Sequence, residues 1–593
     1  MVGNLVFTLR KWLRFFVYSV LFTEVKLATH DELVPSSEAV PGEAIAGDID
    51  VDKADVDKLH KNAMGLPGVL YFCLAGSAPI SAMLFNVPPI ASQAGAASPL
   101  VFIISGIGLL LLGVAIVYLS RRLTSAGGFY TWVRHSLGKR TAFQAGWLMM
   151  GGYALFEASL LGAFGSYTNS SFINYANFHM PGGWVTWALV GALIIFSLSY
   201  FDVKWSVYAM APFLILEVGV LIVLDLAISI HGGAFGHDFV HTFTIAGTNP
   251  SPGGPFHIPT SIAAASKGTA APGGLLGIGV GMALGVWSWV GFEAGAVYGE
   301  EARNPRRAVP IAVFSVIAFL ILLYTWTSYS ATIGYGWQNA VSQLGNLTGN
   351  PTPYYPLAST YVGGFLQALM IIAISTSALA CGLAFHNGMV RYLYAMGREG
   401  ILGRVFGRTH PRYRSPHIAI ITQSLFSVVL VIFFAFVIQN TSTGSYGFGI
   451  ANGKTTVQVD GILPYTWLAI IGTIAFIVVY IMVNISSPVF AVRFDKKRMN
   501  LPGVLTHFGA PILSTLILLI PWISFVMPAI PGAIGNYFTS LGFAATPFPL
   551  NILPLVVLIW IILGLAYSFY LSTSSPERYD GMGRIIRGDA YSA

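Results

Sequence analysis

LPGVLYFCLAGSAPISAMLFNVPPIA at residues 66–91 and LLGIGVGMALGVWSWVGFEAGAVY at residues 275–298 decide how this chain folds. Each stretch is apolar over more than twenty residues, the length an α-helix needs to cross roughly 30 Å of hydrocarbon. Each is also interrupted near its middle, by Ala75-Gly76-Ser77-Ala78-Pro79 in the first and by Gly291-Phe292-Glu293-Ala294-Gly295 in the second. Inside a bilayer a break in the helix is tolerated only where it is buried in protein or lines a cavity. Two broken helices in corresponding positions of two halves are the sequence pointer to a transport site.

The rest of the chain has the same character. Of its 593 residues 55% are hydrophobic and 9% charged, against roughly 25% charged in soluble proteins, which excludes an ordinary soluble enzyme. Its apolar blocks predict an all-α polytopic membrane protein with twelve spans: Leu66 to Ala91, Leu100 to Leu119, Ala142 to Tyr167, Trp184 to Tyr200, Val207 to Ile230, Leu275 to Tyr298, Val309 to Thr332, Leu357 to Phe385, His417 to Val437, Ile462 to Val489, His507 to Phe525 and Leu550 to Leu571. The expected organisation is a cytoplasmic tail over residues 1–64, one transporter domain over 65–573 and a cytoplasmic tail over 574–593.

A net charge of +7 would elsewhere suggest a nucleic-acid partner. Under this partition, however, only Lys267 and Lys454 fall on one side, and the other 29 of 31 basic residues fall on the opposite side with both termini. That bias predicts the basic side to be the cytoplasmic face of a cell-membrane protein. The implied partner is the lipid bilayer, not nucleic acid. Cys73 and Cys381 lie inside apolar blocks, as small core residues. The apolar run from Trp12 to Phe22 is too short to span and reads as an interfacial helix, or as an overextended start upstream of Met64. Asp31 to Lys61 is acidic and aperiodic, the pattern of a disordered tail.

Broken helix ends expose N–H groups at a positive dipole end and carbonyls at a negative one, so together they can hold a carboxylate and an ammonium. That is the chemistry of an α-amino acid. The competing reading is that small residues simply let helices pack closely. Glu293 lies within the second break, where a carboxylate at bilayer depth faces a cavity or a partner. It either takes up a proton or stays protonated as a hydrogen-bonding group for the broken backbone.

The segment from Trp287 through Glu293, Glu300 and Glu301 to Arg307 resembles the sixth helix and following loop of the amino acid/polyamine/organocation permeases. Ser125-Ala-Gly-Gly-Phe-Tyr-Thr-Trp-Val133 is similar to that superfamily's re-entrant loop, and Arg391 through Arg398 to Gly403 to its eighth-helix exit. The resemblance implies a leucine-transporter-like fold working by alternating access. It implies five-plus-five inverted repeats over about 66–230 and 275–490, with helices 11 and 12 over 507–571 and with helices 1 and 6 broken. It also implies a secondary carrier for an amino acid or amine that needs no cofactor. Substrate carboxylate would then rest on Gly76, Ser77 and Ala78, and substrate amine near Gly291, Trp287 and Phe292, with Trp287 in an aromatic gate position and Glu293 in proton-linked gating.

Three further acids lie in apolar blocks. Tyr153 and Glu157 share a face of the third span, which lines the cavity in this fold; Glu157 either attracts a basic substrate or pairs with a neighbouring helix. Asp225 reads as a solvated terminus. Glu217 stands where proton-coupled relatives place a lysine, so either it exchanges the proton itself or the site differs. Ser375 and Thr376 offer hydroxyls where sodium-coupled relatives bind their ion, but such hydroxyls usually bond their own helix, which ranks H+ above Na+.

Other motifs carry less. The Walker-like Gly449 to Thr455 lacks its first glycine. His231, His237 and His241 near Asp238 have no metal spacing, and Asn346-Leu-Thr348 is an isolated sequon. An intramembrane enzyme lacks its His/Glu or Ser/base constellation, since His386 lies only near a cytoplasmic end. A non-transporting sensor would carry a longer signalling tail.

Overall fold

The computed structural model describes residues 49–50, 59, 61–201, 203–248, 274–345, 352–435, 462–494, 501–540 and 552–586. Residues 12–22, most of 31–61, the sequon at 346–348 and the loop at 449–455 lie outside the described residues.

Helices dominate. The first span is two helices, α1 (Leu66–Ser77) and α2 (Pro79–Ala94). They are separated by Ala78 in the left-handed region at φ 42°. Pro79 accounts for the division, because it has no N–H to donate and its ring clashes with the carbonyl four residues earlier in a continuous helix. There follow α3 (Ser98–Ser120), the short α4 (Phe129–Leu137), the long α5 (Lys139–Ala176), α6 (Gly183–Tyr200) and α7 (Val203–His231). The sixth span begins as α8 (Gly274–Trp287), opens, and resumes as a 3-10 turn over Ala294–Tyr298. After it come α9 (Pro305–Tyr335), α10 (Tyr354–Tyr361), α11 (Gly364–Arg398), α12 (His417–Phe433), α13 (Ile462–Phe494), α14 (Ala510–Val526), α15 (Leu553–Ser574) and α16 (Pro576–Asp580).

Among the described residues, nine helical segments are long and apolar enough to span a membrane; the first, Leu66–Ser120, holds α1, α2 and α3 together, and Gly277–Trp287 and His417–Phe433 are shorter apolar helices. Every expected span thus contains an apolar helix, and the chain is a multi-pass membrane protein. The eighth span departs from expectation. Its helix starts at Gly364, after a break at Gly363 with φ 122°, and runs past Phe385 to Arg398. Hydropathy falls at Phe385 because polar residues follow, yet those residues are buried by neighbouring helices, so the helix continues.

At the centre, α5 packs most extensively on α11 and α13, and α3 packs on α9 and α14. Leu513, Leu516, Leu558 and Ile562 of α14 and α15 point outward, as lipid-facing side chains do. Part of each tail meets on the basic face, where β1 (Ile49–Asp50) pairs in parallel with β2 (Ile585–Ile586). The backbone N–H of Gly583 donates to Glu399 there at 2.8 Å.

The second break depends on Gly291, which holds φ 111°. A Cβ at this position would lie 2.2 Å from the carbonyl carbon of Gly76. Gly291→Ala is therefore expected to destabilise the detergent-purified protein by about 2 kcal/mol or more. Gly364→Ala, whose added Cβ would meet nothing within 4 Å, should leave the melting temperature unchanged. Equal melting of the two variants would contradict the strained contact.

Candidate binding site at the paired helix breaks

The two breaks touch through bare backbone, since glycines stand on both sides of the contact. Three side chains satisfy the broken end of α1, and a fourth the start of α2. The Ser77 hydroxyl donates to the carbonyl of Cys73 at 3.0 Å. The Ser77 carbonyl accepts from the Tyr324 hydroxyl of α9 at 2.8 Å, and the Gly76 carbonyl accepts from the Cys381 thiol of α11 at 3.0 Å. On the other side of Ala78, the first backbone donor of α2 is Ile80, whose N–H reaches Glu217 Oε2 of α7 at 3.4 Å.

Glu293 stitches the second break together. Its Oε1 accepts from the Tyr153 hydroxyl at 2.9 Å, and its Oε2 accepts from the backbone N–H of Gly291 at 3.0 Å. Two accepted bonds suit an ionised carboxylate, which has no donor.

Aromatic rings close this region on both sides. Tyr153 lies 4.9 Å from Phe476 and 5.6 Å from Phe385 between ring centroids, and Phe292 lies 5.9 Å from Tyr480. Towards the face opposite the basic one, Trp287 sits 4.7 Å from Tyr465, and Phe85 bridges Tyr465 and Tyr167 at 4.9 and 4.7 Å. These rings pack on either side of the breaks.

The structure brings Gly76, Ser77, Ala78, Tyr153, Gly291 and Glu293 together, with Trp287 and Phe292 in the flanking aromatic layers. Other candidates lie apart. Glu157 pairs with neighbouring helices, accepting from Gln423 of α12 and lying 2.9 Å from His386 Nδ1 of α11. His386 is thus fully buried within a helix, not near its end. Asp225 is likewise no solvated terminus: it is buried between α7 and α9, and accepts from the Thr327 hydroxyl at 2.6 Å. Ser375 and Thr376 donate to carbonyls of their own helix. In the loop after α7, His241 pairs with Asp238, and hydrogen bonds from His241 hold that carboxyl below its usual range. Among the described residues no group of three or more His, Cys, Asp or Glu could hold a metal ion.

Sequence reasoning missed the ion pairs beneath the site. Glu301 takes both Arg391 Nε and Nη2, at 2.7 and 3.0 Å, while the guanidinium stands 4.0 Å over the Tyr298 ring. Glu300 takes Arg398 at 2.6 and 3.1 Å, and also accepts from the Ala126 N–H at 3.0 Å. The sequence places these residues in permease-like motifs and on the basic face, without pairing them. The usable signal was the buried surroundings of Arg391 and Arg398, which requires knowing that α11 continues.

The chain is similar to known proteins over most of its length. The family described as Amino acid permease matches residues 68–576. Similar proteins include the methylthioribose transporter of Bacillus subtilis, 25% identical over 55% of this chain and 65% of that protein. The low-affinity putrescine importer of Escherichia coli is 25% identical over 56% of this chain and 67% of that protein. Human cationic amino acid transporter 4 is 25% identical over 54% of this chain and 47% of that protein. The matched stretches thus span about two thirds or less of these relatives, all named as transporters or importers rather than enzymes.

Arg391→Met leaves Glu301 buried without its cation and is expected to cost roughly 3–5 kcal/mol. Removing both charges with Glu301→Leu should recover most of that loss. Thermal melting in detergent tests the pair; an unchanged single variant would rule out its structural role.

Proposed function

The chain belongs to the amino acid permease family, and on that premise we propose that it is a secondary transporter for an amino acid or related amine. It works by alternating access of a site between the Gly76–Ala78 and Gly291–Glu293 breaks, with the basic face in the cytoplasm of a cell membrane. The observation that carries this reading is the contact of two interrupted helices beside packed aromatic rings, with a buried carboxylate holding one interruption in shape. The relatives named for putrescine import and for cationic amino acids support a small nitrogenous substrate.

Coupling to protons follows from Glu293. With the carboxylate ionised, Oε2 holds the Gly291 N–H; protonation frees that donor, loosens the break and biases which face the site opens to. Sodium is the weaker alternative, because the α1 carbonyls already accept from Tyr324 and Cys381, and the Ser375 and Thr376 hydroxyls are turned into their own helix. Glu217, the other ion-coupling candidate, is buried on α7 against the start of α2.

Protein reconstituted in liposomes is expected to show counterflow of an amino acid or amine, and net uptake that is driven by an inward proton gradient and insensitive to replacing sodium with potassium. Absence of counterflow for every member of such a panel would reject transport, and leave a sensor. Glu293→Gln should flatten the pH dependence of uptake while keeping the bond to Tyr153. A variant whose profile follows the native one would remove Glu293 from coupling.

A further inference from the structure

The residues just before α1 are built into the basic face. Met64 is paired through its backbone in both directions: its N–H donates to the Glu301 carbonyl at 3.2 Å, and its carbonyl accepts from the Arg303 N–H at 2.8 Å. Arg303 Nε also donates to the Asn62 carbonyl at 3.3 Å. Asn62 holds φ 58°, a left-handed conformation that Asn adopts more readily than most residues, and the chain turns there. Upstream of that turn Leu59 is 5% exposed and packs with Ala126, Tyr394 and Ala395.

Leu59 and Met64 sit on different groups of elements. α1 and the resumed part of the sixth span are the basic-side halves of the two broken helices, and they adhere to each other: Phe72 stacks on Tyr298 at 4.3 Å between ring centroids. Met64 fastens to this group. Ala126 precedes α4, and Tyr394 and Ala395 belong to α11, which faces that group across the pairs of Glu301 with Arg391 and Glu300 with Arg398. Arg398 stands 4.7 Å over the Tyr394 ring, so the Leu59 pocket and one ion pair share a wall. Further upstream, β1 pairs with β2, beside the Met582 carbonyl that accepts from Arg134 of α4 at 2.9 Å. The N-terminal tail is thus held to the α4 and α11 side at two places, and to the broken helices at Met64.

We propose that the residues before α1 form a latch on the basic face: Leu59 stays seated against Ala126 and Tyr394 while that face is closed, and withdraws when the two groups part to open the site. This rests on the transport reading above and adds a gating residue to it. Leu59 is a positioning residue, acting through the separation of α1 and the sixth span from α11. An apolar anchor suits a reversible contact, because its release leaves no buried charge without a partner, as parting an ion pair does.

A thiol pair tests the latch. In full-length Leu59→Cys/Ala395→Cys, oxidation is expected to lower counterflow in liposomes at least about tenfold by holding one conformation, with recovery in dithiothreitol. The native chain, whose Cys73 and Cys381 are buried, should pass through the same cycle unchanged. An oxidised pair that transports at its reduced rate refutes the latch while the transport reading stands, and failure of the pair to crosslink refutes the seating of Leu59. If the native chain shows no counterflow of any amino acid or amine, the transport reading itself fails.

Release is read at Cys381, whose thiol meets the Gly76 carbonyl at the first break. Leu59→Asp should raise its labelling by a membrane-impermeant maleimide applied from the basic side at least about fivefold, measured by mass spectrometry of the Cys381 peptide. Labelling from the opposite side should stay at the native rate. Leu59→Met, which nearly conserves volume, should restore native labelling from the basic side. An equal rise from both sides marks a general loosening of the fold and removes the latch. Should Leu59→Asp fail to reach the membrane, the thiol pair decides alone.

Discussion

Everything near the candidate site depends on one constraint: an interrupted helix inside hydrocarbon must find partners for the backbone groups that the interruption frees. Each such group left unsatisfied costs several kcal/mol. Here the cost is met by three side chains from distant helices and by Glu293 of the second break itself. Tyr324 and Cys381 take the carbonyls of α1, Glu217 takes the first donor of α2, and Glu293 takes the Gly291 N–H. The breaks are therefore held from four directions, and moving any of α7, α9 or α11 changes how they are held. This is how a local irregularity becomes sensitive to the arrangement of the bundle.

The same reasoning explains the layer beneath. Three sequence segments that resemble permease motifs meet at Glu300, which accepts from Ala126 before α4 and from Arg398 at the end of α11. Beside it Glu301 binds Arg391 through two bonds. The charged groups of both pairs are nearly inaccessible, 2–5% exposed, where attraction repays desolvation only if geometry is good and further bonds satisfy the groups. Bidentate contact, the Tyr298 ring and the Ala126 amide supply that. The result ties the resumed part of the sixth span to α11 on the basic face, directly under the breaks.

Buried polar clusters elsewhere follow similar rules. Glu157, His386 and Gln423 join α5, α11 and α12, and Asp225 with Thr327 joins α7 to α9. Each places a costly group opposite a hydrogen-bonding partner, which fixes the rotation of one helix against the next.

Spans, breaks and the segregation of basic residues were legible in the sequence because each depends on neighbouring residues alone: a run of apolar side chains, Pro79 removing one donor, Gly291 permitting a positive φ, and loop charges. The positions Gly76 to Ala78 and Gly291 to Glu293 could therefore be named without coordinates. Which side chains serve them could not. Glu217 and Ile80 are 137 residues apart, Glu301 and Arg391 are 90 apart, and Glu157 and His386 are 229 apart. Their meeting depends on how each helix is rotated and how far α11 extends beyond its apolar run, and only packing against neighbouring helices sets those quantities.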